Sequence, residues 1–127
     1  MIFCLDYETF KIDDESSVDI RPLEVGDFQD LLQYVGKVNS EKSDDLETMG
    51  IKRMADKELS TLSQSIIPKY CQNLQGINIK ESGTTRPAAI EDMLKYGMFT
   101  GTCLRILTAL LNLSSLSEAE EKTVKKP

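Results

Sequence analysis

The chain has 127 residues, 40% of them apolar and 28% charged, with 21 Asp and Glu against 15 Lys and Arg for a formal net charge of −6. This size and balance fit one globular domain and exclude a disordered or collagen-like chain. With no His there is no Ser-His-Asp triad, Cys-His pair or His metal cage, and the acid excess disfavours nucleic acid as a ligand.

At the amino terminus Phe3, Leu5 and Tyr7 alternate with Cys4, Asp6 and Glu8, which predicts a strand with one apolar face. Val18 and Ile20 alternate with Asp19 and Arg21 in the same way, and the polar run Asp13 to Ser17 supplies the hairpin turn between them. A two-stranded hairpin alone is marginal in water, so this one must rest on helices or on another subunit. Met1 to Leu5 is followed at once by Asp6 and Glu8, which does not make a secretory signal.

Pro22 ends the second strand. Phe28, Leu31, Leu32, Val35 and Val38 then recur at helical spacing, with Asp27 and Asp30 near the helix start, where they complement its dipole. Asn39 to Asp45 reads as a polar connection, and Leu46, Met49 and Met54 suggest a short helix around it. A longer helix is predicted from Asp56 to Leu74, with Leu59, Leu62, Ile66, Tyr70 and Leu74 on one face. Pro68 should kink or divide it, and Gly76 should close it as a C-terminal glycine.

Ile77 to Ile79 reads as a short extended piece and Lys80 to Arg86 as a loop. Pro87 suits the first turn of the next helix, which carries Ile90, Met93, Leu94 and Met98. Gly97 and Gly101 bracket a break, after which Leu104, Leu107, Leu110 and Leu111 define a strongly apolar helix. Ser117 to Glu120 matches a capping box and predicts a separate short polar helix before a frayed end at Lys125 to Pro127.

The predicted fold class is therefore mainly α: a helical domain of four to five helices with a short N-terminal β-hairpin. Residues 1–116 form the domain, with the hairpin in 1–21, and 117–127 form a short polar helix or tail. The nearly apolar run Met98 to Leu113 falls short of the ~20 residues that span a bilayer and contains Arg105. A soluble, cytoplasmic protein with neither signal peptide nor transmembrane segment is expected.

Catalytic constellations are weak throughout. Asp13, Asp14 and Glu15 lack the alternation, central Gly and closing Glu of a calcium loop, so a solvated turn is the better reading. Ser82-Gly83-Thr84-Thr85 looks phosphate-binding, but the phosphate loop needs Gly-Lys followed by Ser or Thr, and Gly36-Lys37 precedes Val38. Cys4, Cys71 and Cys103 form neither a CxxC pair nor an even disulfide framework, which points to a reducing compartment and to Cys103 as a core thiol. Gly97 and Gly101 have the GxxxG spacing that lets helices approach closely, a pattern also common by chance.

No catalytic, cofactor-binding or metal-binding residue is assigned, and the chain is expected to bind rather than catalyse. Five Met and a last helix apolar on most faces imply either full burial or an adaptable surface for a partner. Met98, Leu104, Leu107, Leu110 and Leu111 are the candidate partner-binding residues.

Three stretches carry a family resemblance. Ile20-Arg21-Pro22-Leu23-Glu24-Val25-Gly26-Asp27-Phe28 follows the strand pair, Ile66-Ile67-Pro68 leads on to Leu74-Gln75-Gly76-Ile77, and Leu113-Ser114-Ser115-Leu116-Ser117-Glu118-Ala119-Glu120-Glu121-Lys122 closes the chain. In this order they resemble the tail assembly chaperones of long-tailed bacteriophages. The resemblance implies a non-enzymatic protein of the bacterial host cytoplasm that coats the tape-measure protein and helps recruit tail-tube subunits. It also implies a longer form made by frameshifting, for which Lys125-Lys126 marks a candidate slippery run. No cofactor, nucleic acid or membrane is expected as a partner, and homo-oligomerisation is left open. Two other readings of the same residues are a small structural subunit of the virion tail or neck, and an acidic regulator that docks a basic host protein through Asp13, Asp14 and Glu15.

Overall fold

The computed structural model describes residues 2–40 and 56–124. The elements are β1 (Glu8–Lys11), β2 (Ser17–Ile20), α1 (Val25–Ser40), α2 (Lys57–Tyr70), β3 (Cys71–Gln75), β4 (Asn78–Glu81), β5 (Thr84–Pro87), α3 (Ile90–Lys95) and α4 (Thr100–Val124), with a 3-10 turn at Gly97–Phe99 before α4. Among the described residues the fold is mixed α/β, four helices with two antiparallel sheets, and not mainly α. The short helix expected around Leu46, Met49 and Met54 lies outside the described residues.

The hairpin forms, but its first strand lies later than the alternation of Phe3, Leu5 and Tyr7 predicts. Glu8 pairs with Ile20 and Lys11 with Ser17. Continuing that register would set Asp6 opposite Pro22, which has no N–H to donate, so residues 2–7 find no partner in β2. Asp13 closes the turn: its Oδ1 accepts from the backbone N–H of Glu15 and Ser16 at 2.9 and 2.8 Å and from the Ser16 hydroxyl at 2.7 Å.

A third strand joins this hairpin, in the order β1-β2-β3. It comes from residues expected to continue the long helix. Asp56 caps α2 by accepting from the N–H of Glu58 and Leu59. The helix runs through Pro68 and stops two residues later, where the Tyr70 carbonyl accepts from Arg21 N–H at 3.1 Å and Cys71 turns extended. Cys71 then pairs with Ile20 and Gln72 with Asp19. Gly76 has a positive φ of 82°, but it turns β3 into β4 instead of ending a helix.

The expected loop from Lys80 to Arg86 is a second hairpin. Asn78 pairs with Pro87 and Glu81 with Thr84 around Ser82 and Gly83, whose φ values of 53° and 79° match the left-handed pair of a tight hairpin turn. Pro87 therefore ends a strand, and α3 begins three residues later. Its first turn is fixed by Asp92, which accepts from Ala89 N–H at 2.8 Å and takes both Arg86 guanidinium nitrogens at 2.8 and 3.1 Å.

Val18 and Ile20 of the first sheet, Leu31 and Tyr34 of α1, Leu59, Ile66 and Ile67 of α2, Met93 of α3 and Ile106, Leu107 and Leu110 of α4 form one buried core. Helix α4 runs unbroken through Ser117, so the boundary expected there falls inside a helix. A Cβ at Gly97 or Gly101 would meet nothing within 4 Å, so their spacing marks no close helix contact. No described helix is long and apolar enough to cross a membrane.

Candidate functional site

The five residues expected to bind a partner divide sharply. Leu107 and Leu110 have no accessible surface and Leu111 very little, so these three belong to the core and offer a partner nothing. Leu104 is half-buried against that core, and Met98 is exposed at 68% in the turn that leads into α4. Of the two readings of this helix, full burial or a surface for a partner, full burial holds for these three residues. Helices α2, α1 and α3 pack against α4 and bury its wide apolar face.

The larger exposed apolar feature lies at the other end of α4. Leu23 in the β2–α1 link, Val25 and Phe28 at the start of α1, and Ser114 and Ser115 on α4 line a groove of about 350 Å³. The Leu23 N–H donates to Ser114 Oγ at 2.9 Å, and Ser114 Oγ in turn donates to the Leu110 carbonyl at 2.8 Å, so the link is tied down at the groove floor. Val25 is 72% exposed beside it. Leu32, two turns along α1, also faces solvent although the sequence stripe assigns it to the core. The sequence signal for this groove was the pair Leu23 and Val25 flanking a helix start, which periodicity within α1 alone does not score.

A polar cluster holds the same link from its other side. The Tyr70 hydroxyl donates to Asp27 Oδ2 at 2.5 Å and accepts from Glu24 N–H at 3.1 Å. Lys69 Nζ donates to Glu24 Oε1 at 2.9 Å and to Asp27 Oδ2 at 3.1 Å. The Tyr70 hydroxyl, and then the Lys69 ammonium, hold the Asp27 carboxyl below its usual range. The Arg21 guanidinium lies 5.3 Å from the Tyr70 ring centre and 5.7 Å from that of Tyr7, and donates to the Lys69 carbonyl at 3.1 Å. Arg21, Glu24 and Asp27 thus anchor the entry to α1. Both carboxylates accept hydrogen bonds from within the chain, Glu24 from Lys69 and Asp27 from Lys69 and Tyr70.

A second cleft, of about 140 Å³, lies between α2, α3 and the start of α4 and is lined by Ser60, Ser63, Met93, Tyr96 and Cys103 among others. Its thiol is a poor nucleophile: burial pushes Cys103 up to about 11, and its Sγ donates to the Met93 carbonyl at 3.5 Å. The Ser63 hydroxyl is occupied by the Leu59 carbonyl at 2.8 Å. Among the described residues no three His, Cys, Asp or Glu side chains are grouped to hold a metal ion.

No family model matches the chain, and neither does any curated protein or solved structure.

Proposed function

We propose that this protein is a tail assembly chaperone of a long-tailed bacteriophage, acting in the bacterial cytoplasm by binding the tape-measure protein and helping to bring tail-tube subunits to it. The observation that supports a binding role is the groove beside α1, where Leu23, Val25 and Phe28 line an apolar channel open to solvent. A long helical partner exposes apolar stripes until a tube encloses it, and a shallow groove lined by Val25 and Phe28, with Leu32 exposed further along α1, covers such a stripe reversibly. Many weak contacts repeated along one partner give secure yet releasable coating.

The sequence support is the Arg21-Pro22-Leu23 passage into α1, which resembles that family and whose Leu23 lines the groove. Met98 adds exposed apolar surface at the opposite end of α4, beside the half-buried Leu104.

The test is co-expression with the tape-measure protein of the same phage. Val25→Asp combined with Leu32→Asp is expected to abolish co-purification while leaving the melting temperature and circular dichroism of the isolated chain unchanged. Undiminished co-purification overturns the groove assignment. Recovery of the protein in purified, infectious particles overturns the chaperone role in favour of a structural subunit.

A further inference from the structure

Sheet edges are normally blunted against the addition of further strands by bulges, prolines or a twist in the backbone. Two of the four edge strands described here carry a bulge or a proline. Strand β3 has Asn73 in the left-handed conformation at φ 56° and a register slip opposite Ser17 and Asp19. Strand β5 ends in Pro87, whereas β4, with Lys80 and Glu81, and β1, with Glu8 and Lys11, carry only charged residues at their ends. Strand β1 has neither bulge nor proline, and its outer edge pairs with no described strand.

The residues leading into β1 are the most exposed apolar stretch described. Ile2 is 91% accessible, Leu5 72% and Phe3 53%. The hairpin they lead into is acidic: Asp6 and Glu8 are exposed next to them in the chain, and Asp14 and Glu15 are exposed in the turn at the far end of β1. Two of the nearby bases are engaged elsewhere, Arg21 on the rings of Tyr7 and Tyr70 and Arg105 as a donor to the Ile12 carbonyl at 3.2 Å. Lys11 is the base that remains on β1 itself.

An edge with neither bulge nor proline, preceded by exposed apolar side chains and set in an acidic hairpin, calls for an occupant that supplies backbone hydrogen bonds, apolar side chains and positive charge. A second copy of this chain supplies the first two but repeats the carboxylates across the joint, on a protein that already carries −6. We infer that β1, together with the segment Ile2 to Tyr7, accepts an extended strand from a partner whose apolar side chains alternate with Lys or Arg. The added strand continues the sheet as its fourth member, with the edge of β1 giving affinity and Phe3 and Leu5 giving apolar contact. This inference uses residues outside the groove and stands independently of the tail-assembly reading.

The test uses the full-length isotope-labelled chain and a blocked peptide of alternating valine and lysine as the probe. An alternating valine–glutamate peptide and a helix-forming leucine–lysine peptide of equal length serve as comparisons. The valine–lysine peptide is expected to shift the amide signals of residues 2–11 while leaving Cys71–Gln75 unmoved. Its affinity should fall roughly tenfold or more as salt screens the carboxylates. Leu5→Asp, and separately Phe3→Asp, should each weaken binding about tenfold with the melting temperature unchanged, because neither side chain belongs to the core. Absence of any shift at millimolar peptide overturns the inference. So do equal binding of the valine–glutamate peptide, preference for the helical peptide, shifts centred on β3 or β5, and self-association of the chain through residues 2–11.

Discussion

The Tyr70 hydroxyl joins Asp27, forty-three positions away in sequence, through a 2.5 Å hydrogen bond at the point where α2 ends and α1 begins. Tyr70 is 1% exposed, so its ring belongs to the core while its oxygen serves the polar cluster above it. The same oxygen accepts the Glu24 N–H, one of the amides at the α1 start that no helix carbonyl can satisfy. Tyr70→Phe keeps the ring but removes both bonds, and is expected to cost about 1–3 kcal/mol, because a charged acceptor and a backbone donor each lose a partner. A urea titration of the variant against the parent measures it. A loss no greater than that of an exposed surface change would mean that water replaces the hydroxyl freely.

Gly76 and Gly83 separate two costs that are usually confounded. Both have positive φ, 82° and 79°, so a side chain strains the backbone at either. A Cβ at Gly83 would meet nothing within 4 Å, whereas one at Gly76 would lie 1.8 Å from the Glu15 carbonyl oxygen, a backbone atom held within the Asp13 turn. Gly83→Ala is expected to destabilise by about 1 kcal/mol, the conformational cost alone. Gly76→Ala should exceed about 3 kcal/mol or prevent folding, because the β1–β2 turn has to move. Thermal melts of the two variants side by side decide it, and equal effects would show that the turn yields.

The helices were more legible in the sequence than the strands, for a physical reason. The stripes through Leu31 and Val35 and through Leu59 and Ile66 repeat over several turns, so one misplaced residue does not hide them. Strand β3 has four polar or half-buried residues after Cys71, and its strand character comes from pairing with β2, a partner more than fifty positions away. The apolar spacing of Tyr70 and Leu74 continues the helical stripe, so local periodicity favoured a helix where tertiary pairing imposed a strand. The second hairpin was signalled by Ser82-Gly83 flanked by Ile79 and Arg86, but its strands carry one buried side chain between them, Ile79. At the candidate site, the apolar character of α4 was legible, while its direction toward the core was not.

Acid should act through the β4–β5 hairpin. The Arg86 guanidinium, aided by the Ala89 N–H, holds Asp92 down at about 2. A carboxyl whose folded value is depressed stabilises fully above its unfolded value near 4, and that contribution is lost as pH falls from about 4 toward 2. Asp13 and Asp19 are lowered as well, by the Ser16 and the Asn73 side chains first, so they add to the same acid limb. Asp92→Asn keeps an acceptor for Ala89 N–H but discards the charge facing Arg86. The variant is expected to be less stable than the parent at pH 7 and to lose less of its stability between pH 5 and pH 2. Denaturation midpoints measured across that range test the sign, and parallel curves would remove Asp92 from the acid response.

The three thiols should react on two separate timescales. Cys4 is exposed in the segment before β1, whereas Cys71 and Cys103 are buried. Burial, with the neighbouring Cys103 second, pushes Cys71 up to about 12, and burial raises Cys103 to about 11. The thiolate is the reactive form, so at pH 8 the two buried sulfurs are both inaccessible and almost wholly protonated. A thiol reagent added to the native chain is therefore expected to modify one cysteine rapidly, and Cys4→Ser should abolish that fast phase. The other two should react at the rate at which α2, β3 and α4 separate, so their modification should accelerate in step with added denaturant. A second fast thiol in the Cys4→Ser variant would show that the junction of β3 with α4 opens in the native state, and would place Cys71 or Cys103 at a surface rather than in the core.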